Sequence, residues 1–181
     1  MGRHVAKAVA GRLGKCLLEL GGNNAIIVTK NANLELAIPA IVFGAVGTAG
    51  QRCTSTRRLI IDTGIYDKVK ASLLKAYGTL KIGNPLLTEN HLGPLIDKAS
   101  VEKMQTALLT AKKQGATILF GGEVLQGQGF ESGCYVRPAL VEADHTMAIA
   151  RTRRRGGRRG VLRARPCEAR SPAASARARR A

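Results

Sequence analysis

Two residues in this sequence could do chemistry at a carbonyl group. Cys53 lies in the segment GQRCT (residues 50–54), and Glu19 lies in LELGGNNA (residues 18–25). A cysteine in a loop of small residues leaves room for a substrate carbonyl, and its thiolate is a nucleophile when a neighbouring group activates it. A carboxylate in an apolar run is costly unless it is paired or has a raised pKa, which makes Glu19 a candidate general base.

Each of these residues also has a plain structural interpretation. A lone cysteine in a loop is more often an inert thiol, and a glutamate in a strand is more often paired structurally. The negative end of a helix dipole disfavours a thiolate, and Cys53 follows a predicted helix end. Activation would therefore have to come from Arg52 or from a nearby base.

The elements that position these residues follow from the spacing of apolar residues. Strands alternating with helices predict an α/β fold with a mostly parallel sheet. Glu19 would lie in a buried strand, and Cys53 would follow an apolar helix that is buried on most sides. The predicted helices span residues 3–13, 34–46, 65–80 and 97–114, and the predicted strands span 16–20, 25–28, 57–62, 116–120 and 135–143. The third helix would carry an apolar stripe of Ile65, Val69, Leu73, Tyr77 and Leu80, and the fourth a stripe of Val101, Met104, Leu108 and Ala111.

Taken together, the two motifs resemble the glutamate and cysteine signatures of the aldehyde dehydrogenase superfamily. Glu19 and Cys53 are 34 residues apart, which fits the spacing in that family. The segments GNP, GPLID, GGEV and GCYVRPAL are similar to segments that follow there, and GRHV (residues 2–5) is similar to the end of its glycine-rich cofactor turn. The double asparagine and GTAGQRCT most resemble the antiquitin-like branch, the α-aminoadipic semialdehyde dehydrogenases.

The resemblance implies a role for each matched residue. Cys53 would attack an aldehyde, and Glu19 would activate the water that hydrolyses the resulting thioester. The cofactor would be NAD, with Leu20 beside its nicotinamide and Gly2 in the cofactor turn. Thr54 and Arg52 would face the substrate, and an arginine there would suit the carboxylate of a semialdehyde acid.

The resemblance also implies segments that this sequence does not contain. In the family, most of the cofactor-binding domain precedes GRHV, and an EE-x-F-G-P segment and an oligomerisation strand follow. We therefore expect a cofactor-domain remnant in residues 1–20 and a partial catalytic domain in residues 21–149. We also expect the chain to be inactive alone, and the family's homo-oligomer is doubtful for it.

Residues 150–181 differ in composition from the rest of the chain. From residue 151 onward there are 12 arginines and one acid, within a chain of net charge +17. Such a segment cannot bury a core and is predicted to be disordered. A frameshift or alternative splice would explain it. The alternative function is that of a basic protein that binds polyanions, including nucleic acid without sequence preference, through this tail.

Other function classes find little support in the sequence. No two of the four cysteines have CxxC spacing and the histidines lie far from them, so we predict no metal site. No apolar run reaches the roughly 18 residues of a membrane span. We find no secretory signal, so a cytoplasmic protein with reduced thiols is expected.

Overall fold

Helices and strands alternate along the chain in a computed structural model that describes residues 1–144 and 146–151. The predicted α/β class is confirmed. Most of the predicted tail, residues 152–181, lies outside the described residues. The helices are α1 (Gly2–Gly11), α2 (Leu34–Val46), α3 (Tyr66–Gly78), α4 (Lys98–Lys113) and α5 (Ala148–Arg151), and the strands are β1 (Asn24–Val28), β2 (Thr56–Ile61), β3 (Thr117–Phe120) and β4 (Leu140–Glu142).

Strands β1 and β2 form a parallel pair joined through α2. Their register matches Ile26 with Leu59 and Val28 with Ile61, and it shifts between Asn24 and Ala25. Val28, Leu59 and Ile61 are buried in a cluster with residues of α2 and α3. Because a parallel pair needs a crossover connection, the cysteine loop between α2 and β2 comes next to the start of β1.

Strands β3 and β4 form a separate antiparallel pair. The sheet predicted as mostly parallel is therefore one parallel and one antiparallel pair within the described residues. A second apolar cluster of α4 and the segments around β4 includes Val101, Leu108 and Val141. No helix in residues 1–144 and 146–151 is long and apolar enough to cross a membrane.

The stripes predicted for the third and fourth helices are confirmed. Helix α3 buries Val69, Leu73 and Tyr77, and the two ends of its predicted stripe, Ile65 and Leu80, lie just outside the helix and are partly buried against the same core. Helix α4 begins after Asp97, whose carboxylate accepts a hydrogen bond from the Ser100 N–H at 2.7 Å as an N-cap. Its buried residues include the four predicted ones, Val101, Met104, Leu108 and Ala111.

The buried strand predicted at residues 16–20 does not form. Helix α1 ends at Gly11, and residues 16–20, including Glu19, are exposed. A strand needs a neighbouring strand for its backbone N–H and C=O groups, and no strand among the described residues pairs with this segment. The apolar run is therefore an extended connection to β1.

Two further predictions about burial and extent were wrong. Helix α2 is not buried on most sides, since Leu36 and Phe43 are 72% and 67% exposed. The strand predicted at residues 135–143 shortens to Leu140–Glu142. Pro138 explains the shortening, because proline has no N–H to donate to a ladder.

A polar cluster joins α3 to β4. The hydroxyl of Tyr66 donates to one oxygen of the Glu142 carboxylate at 2.6 Å, and Lys70 donates to the other at 2.8 Å. The pKa of Glu142 is lowered, first by the hydrogen bond from Lys70 and then by that from Tyr66. The pKa of Tyr66 is raised, mainly because burial desolvates the phenol.

This cluster predicts an acid-sensitive contribution to stability. Because the pKa of Glu142 is lower in the folded state, the contribution is present above its ordinary pKa of 4.5 and is lost as the pH falls through the native value. Glu142→Gln should reduce the free energy of unfolding by about 0.5–1 kcal/mol at pH 7, since the pair is partly exposed, and by less at pH 3. Urea unfolding at both pH values measures this, with Glu102→Gln as the control for removal of an exposed carboxylate on α4. Equal losses at both pH values would contradict the prediction.

Candidate active site

The loop that carries Cys53 begins with a turn of left-handed backbone. Helix α2 ends at Val46, and Thr48, Ala49 and Gly50 then adopt φ values of 55°, 50° and 69°. Left-handed φ is strained for residues with a Cβ, and most of all for a β-branched one such as threonine. The helix is ended by Gly47, whose backbone is no longer helical (φ −52°, ψ 133°), and the left-handed turn then directs the chain into the loop.

Ser55 fixes the other side of this loop. The backbone N–H of Arg52 donates to the Ser55 hydroxyl at 3.0 Å, and the Ser55 N–H donates to the Arg52 carbonyl at 3.2 Å. Ser55 is only 2% exposed. Cys53 and Thr54 therefore form the exposed tip of a tight turn whose base is buried.

Asn24, the first residue of β1, connects the two motifs. Its side-chain amide donates to the carbonyl of Cys53 at 2.7 Å and to the carbonyl of Ser55 at 3.1 Å. Arg58 adds a second link, because its guanidinium donates to the Asn23 carbonyl at 3.1 and 2.8 Å. The end of LELGGNNA is thus hydrogen-bonded to the cysteine segment at three carbonyls.

Gly22 provides the space that the Asn24 side chain occupies. A Cβ added at Gly22 would lie 2.5 Å from Oδ1 of Asn24, closer than real Cβ contacts. The second glycine of LELGGNNA is therefore required for the Asn24 clamp, by which we mean the two hydrogen bonds from the Asn24 amide to the carbonyls of Cys53 and Ser55.

Glu19 lies on the exposed segment that leads into β1. It precedes Asn24 by five residues, and Asn24 contacts the cysteine loop directly. The buried setting predicted for its carboxylate was wrong, because the segment has no strand partner. The catalytic roles of Glu19 and Cys53 stay predictions.

The side chain of Arg52 turns back to the end of α2. Its guanidinium donates to the carbonyls of Gly47 and Phe43, each at 3.4 Å, and lies 4.6 Å from the centre of the Phe43 ring. It occupies the position that a Cβ on Gly47 would take. A cation on the last carbonyls offsets the negative end of the helix beside Cys53. The substrate role of Arg52, like that of Thr54, stays a prediction.

The two residues predicted to contact the cofactor lie together. A Cβ on Gly2 would be 2.9 Å from Cδ2 of Leu20, so α1 begins directly against the leucine side chain. Leu20 is nevertheless 60% exposed and offers an apolar surface to a flat ring. Among the described residues, no group of three potential metal ligands occurs.

Sequence reasoning missed Asn24, Ser55 and Arg58 as parts of this site. Asn24 served only as a marker of the family branch, and Ser55 and Arg58 were given no role. The available signal was a polar amide at the start of a β-branched strand, where a hydrophobic residue would otherwise be expected.

Comparison with known proteins identifies the family. The profile of the aldehyde dehydrogenase family matches residues 1–154. The chain belongs to the aldehyde dehydrogenase family. The α-aminoadipic semialdehyde dehydrogenase of Bos taurus is 44% identical over 153 residues, which cover 84% of this chain and 28% of that protein. Aldehyde dehydrogenase family 7 member B4 of Arabidopsis thaliana is 43% identical over 151 residues, which cover 83% and 29%.

A solved aldehyde dehydrogenase has the same fold. The betaine aldehyde dehydrogenase of Staphylococcus aureus, in complex with NAD+, superposes with a TM-score of 0.84 at 28% identity, over 93% of this chain and 33% of that one. The predicted resemblance to the α-aminoadipic semialdehyde dehydrogenases is confirmed by the curated relatives. The chain spans less than a third of the length of the two curated relatives above.

The clamp by Asn24 can be tested through stability. Asn24→Ala removes the donor to the carbonyl of the buried Ser55, so the free energy of unfolding should fall by about 1–3 kcal/mol. Asn23→Ala is the matched control, because Arg58 contacts the backbone carbonyl of that residue, which the substitution retains. Urea unfolding measures both.

Gly22→Ala provides a second test of the same contact. It should destabilise the wild-type chain, because the new Cβ displaces the Asn24 amide. In the Asn24→Ala background the same substitution should have a much smaller effect. Equal losses of unfolding free energy in the two backgrounds would show that Gly22 is not needed for the Asn24 clamp.

Proposed function

We propose that this chain carries the nucleophile and the general base of an aldehyde oxidation, with Cys53 and Glu19 in these roles. The observation that supports the proposal most is the hydrogen bond of 2.7 Å from Asn24 to Cys53, which joins the glutamate and cysteine segments. Family membership supports the same reaction class.

The proposed reaction has two stages at Cys53. The sulfur attacks the carbonyl carbon of the aldehyde, a proton moves to solvent or to a base, and the oxygen becomes the anion of a thiohemiacetal. The backbone N–H of Cys53 is proposed to donate to this oxyanion. Loss of hydride from the former carbonyl carbon leaves a thioester. Glu19 takes a proton from water, the hydroxide attacks the thioester, and the C–S bond breaks to give the carboxylic acid and the free thiol.

NAD is the proposed acceptor of the hydride. When bound, NAD would supply the oxidant for this step, since its nicotinamide ring can accept a hydride. The contact between Gly2 and Leu20 and the exposure of Leu20 fit an apolar ring at this position. These two residues would hold only one end of a dinucleotide.

The proposed substrate is a semialdehyde with a carboxylate at its far end. Thr54 is exposed beside Cys53, and Arg52 belongs to the same turn, although its guanidinium lies at the end of α2 over the Phe43 ring. To bind a carboxylate, Arg52 would exchange its hydrogen bonds of 3.4 Å for shorter charge-assisted ones. The α-aminoadipic semialdehyde dehydrogenases among the relatives, from Bos taurus, Mus musculus and Rattus norvegicus, favour this class.

An ester substrate tests the roles of Cys53 and Glu19 without the cofactor. An aryl acetate should acetylate Cys53 and release the phenolate, and Glu19 should then promote hydrolysis of the thioester. We expect Cys53→Ala to lose the acetylation, and Glu19→Gln to slow deacetylation by about two orders of magnitude, as removal of a general base does. Glu102→Gln, an exposed carboxylate on α4, is the control. Peptide mass spectrometry follows the acetyl group, and equal deacetylation rates in Glu19→Gln and wild type would contradict the role of Glu19.

Dehydrogenation by the chain alone should not be detectable. Hydride transfer would require the whole dinucleotide to be bound in place, and Gly2 and Leu20 would hold only one end of it. Incubation with NAD and a semialdehyde should therefore give no absorbance of the reduced cofactor. Turnover that is lost on Cys53→Ala would overturn this expectation of inactivity while supporting the nucleophile.

A further inference from the structure

The side chain of Gln51 joins the cysteine loop to a segment more than 40 residues away in the sequence. Its Oε1 accepts a hydrogen bond from the Ile96 N–H at 3.0 Å, and its Nε2 donates to the Pro94 carbonyl at 3.3 Å. The same Nε2 lies 3.3 Å from the carbonyl of Thr48. Both ends of the amide are therefore in use, two residues before Cys53.

The distant segment is itself firmly held. Leu95 lies between the two residues that Gln51 contacts, and its N–H donates to the Cys134 carbonyl at 2.8 Å. Its side chain is 6% exposed, in the cluster that contains Val101 and Met104. Gln51 thus attaches the cysteine loop to the core around α4.

The turn that precedes Gln51 needs such support. Thr48 and Ala49 have left-handed φ values although neither is glycine. Strained residues of this kind persist only where the surrounding structure determines their conformation. Thr48 is held by its carbonyl, which accepts from both the side chain and the backbone N–H of Gln51, the latter at 3.0 Å.

We propose that Gln51 is a positioning residue for Cys53. Its amide holds the left-handed turn against residues 94–96, and the turn fixes where the thiol stands at the tip of the loop. This inference rests on the proposed role of Cys53 as the nucleophile. Asn24 holds the loop from the side of β1, and Gln51 holds it from the side of α4.

The positioning role of Gln51 is tested by the rate at which Cys53 is alkylated in the full chain, compared with the rate for Cys16. Both cysteines are exposed, so a difference in rate reports more than access. Iodoacetamide labelling would be followed by peptide mass spectrometry over about pH 6 to 9, where thiols begin to ionise. The variants are Gln51→Ala and Gln51→Glu; the second keeps the acceptor for Ile96 and loses the donors.

The control is Gln105→Ala. Gln105 lies on α4, and its side-chain amide donates a hydrogen bond to the Gly122 carbonyl at 2.6 Å, away from the cysteine loop. Its removal should destabilise the fold comparably without touching Cys53. Urea unfolding of each variant checks that comparison.

In wild type, Cys53 should react faster than Cys16 throughout this pH range. Both Gln51 variants should lower the ratio of the Cys53 rate to the Cys16 rate by roughly threefold to tenfold, toward one. Small displacements of a reacting group have large effects on rate. Gln105→Ala should leave the ratio unchanged. An unchanged ratio in the Gln51 variants, or an equal fall in Gln105→Ala, would overturn the role of Gln51. A wild-type ratio of one would instead overturn the nucleophile, and the positioning role with it.

Discussion

The hydrogen bonds from Asn24 to the carbonyls of Cys53 and Ser55 are the contacts on which the arrangement of this site depends. They lie where the β1–β2 register shifts and where the regular ladder cannot satisfy the loop. A buried carbonyl without a partner is destabilising, so the amide both satisfies the backbone and fixes the loop. Since Glu19 is five residues away along the chain, the same contact sets an upper limit on how far the proposed base can lie from the proposed nucleophile.

Glycines in the two motifs make such contacts possible. Gly22 leaves room for the Asn24 amide, and Gly47 leaves room for the Arg52 guanidinium. Gly44, on α2 just before the second motif, does the same for Thr56, whose hydroxyl would lie 2.7 Å from a Cβ on that glycine. In each case a polar side chain lies where a Cβ would be. The small residues of GTAGQRCT and LELGGNNA therefore serve the packing of polar groups around Cys53 as well as access for a substrate.

Periodic apolar patterns allowed much of the fold to be predicted. The stripes of α3 and α4 depend on local spacing, and both were correct. The segment at residues 16–20 has the composition of a buried strand, but strand formation depends on a partner that local sequence does not reveal. The burial of helix α2 was overestimated for the same reason. Its apolar residues show which side chains could be buried, but the sequence does not show whether another element packs on Leu36 and Phe43, and both are exposed. The family resemblance singled out Cys53 and Glu19. Asn24 and Gln51 lie in the same two motifs, but their hydrogen bonds to distant backbone groups depend on the fold and cannot be inferred from the motif letters.

The most direct test of this account is an NMR measurement on the Asn24 side chain. With ¹⁵N on asparagine and ¹³C on the carbonyls of Cys53 and Ser55, the account predicts scalar coupling through the hydrogen bond from the Asn24 amide to one or both carbonyls. It also predicts that the Asn24 amide protons exchange with solvent more slowly than those of Asn23. Absence of the coupling together with equally fast exchange at Asn23 and Asn24 would contradict the claim that Asn24 joins the two motifs.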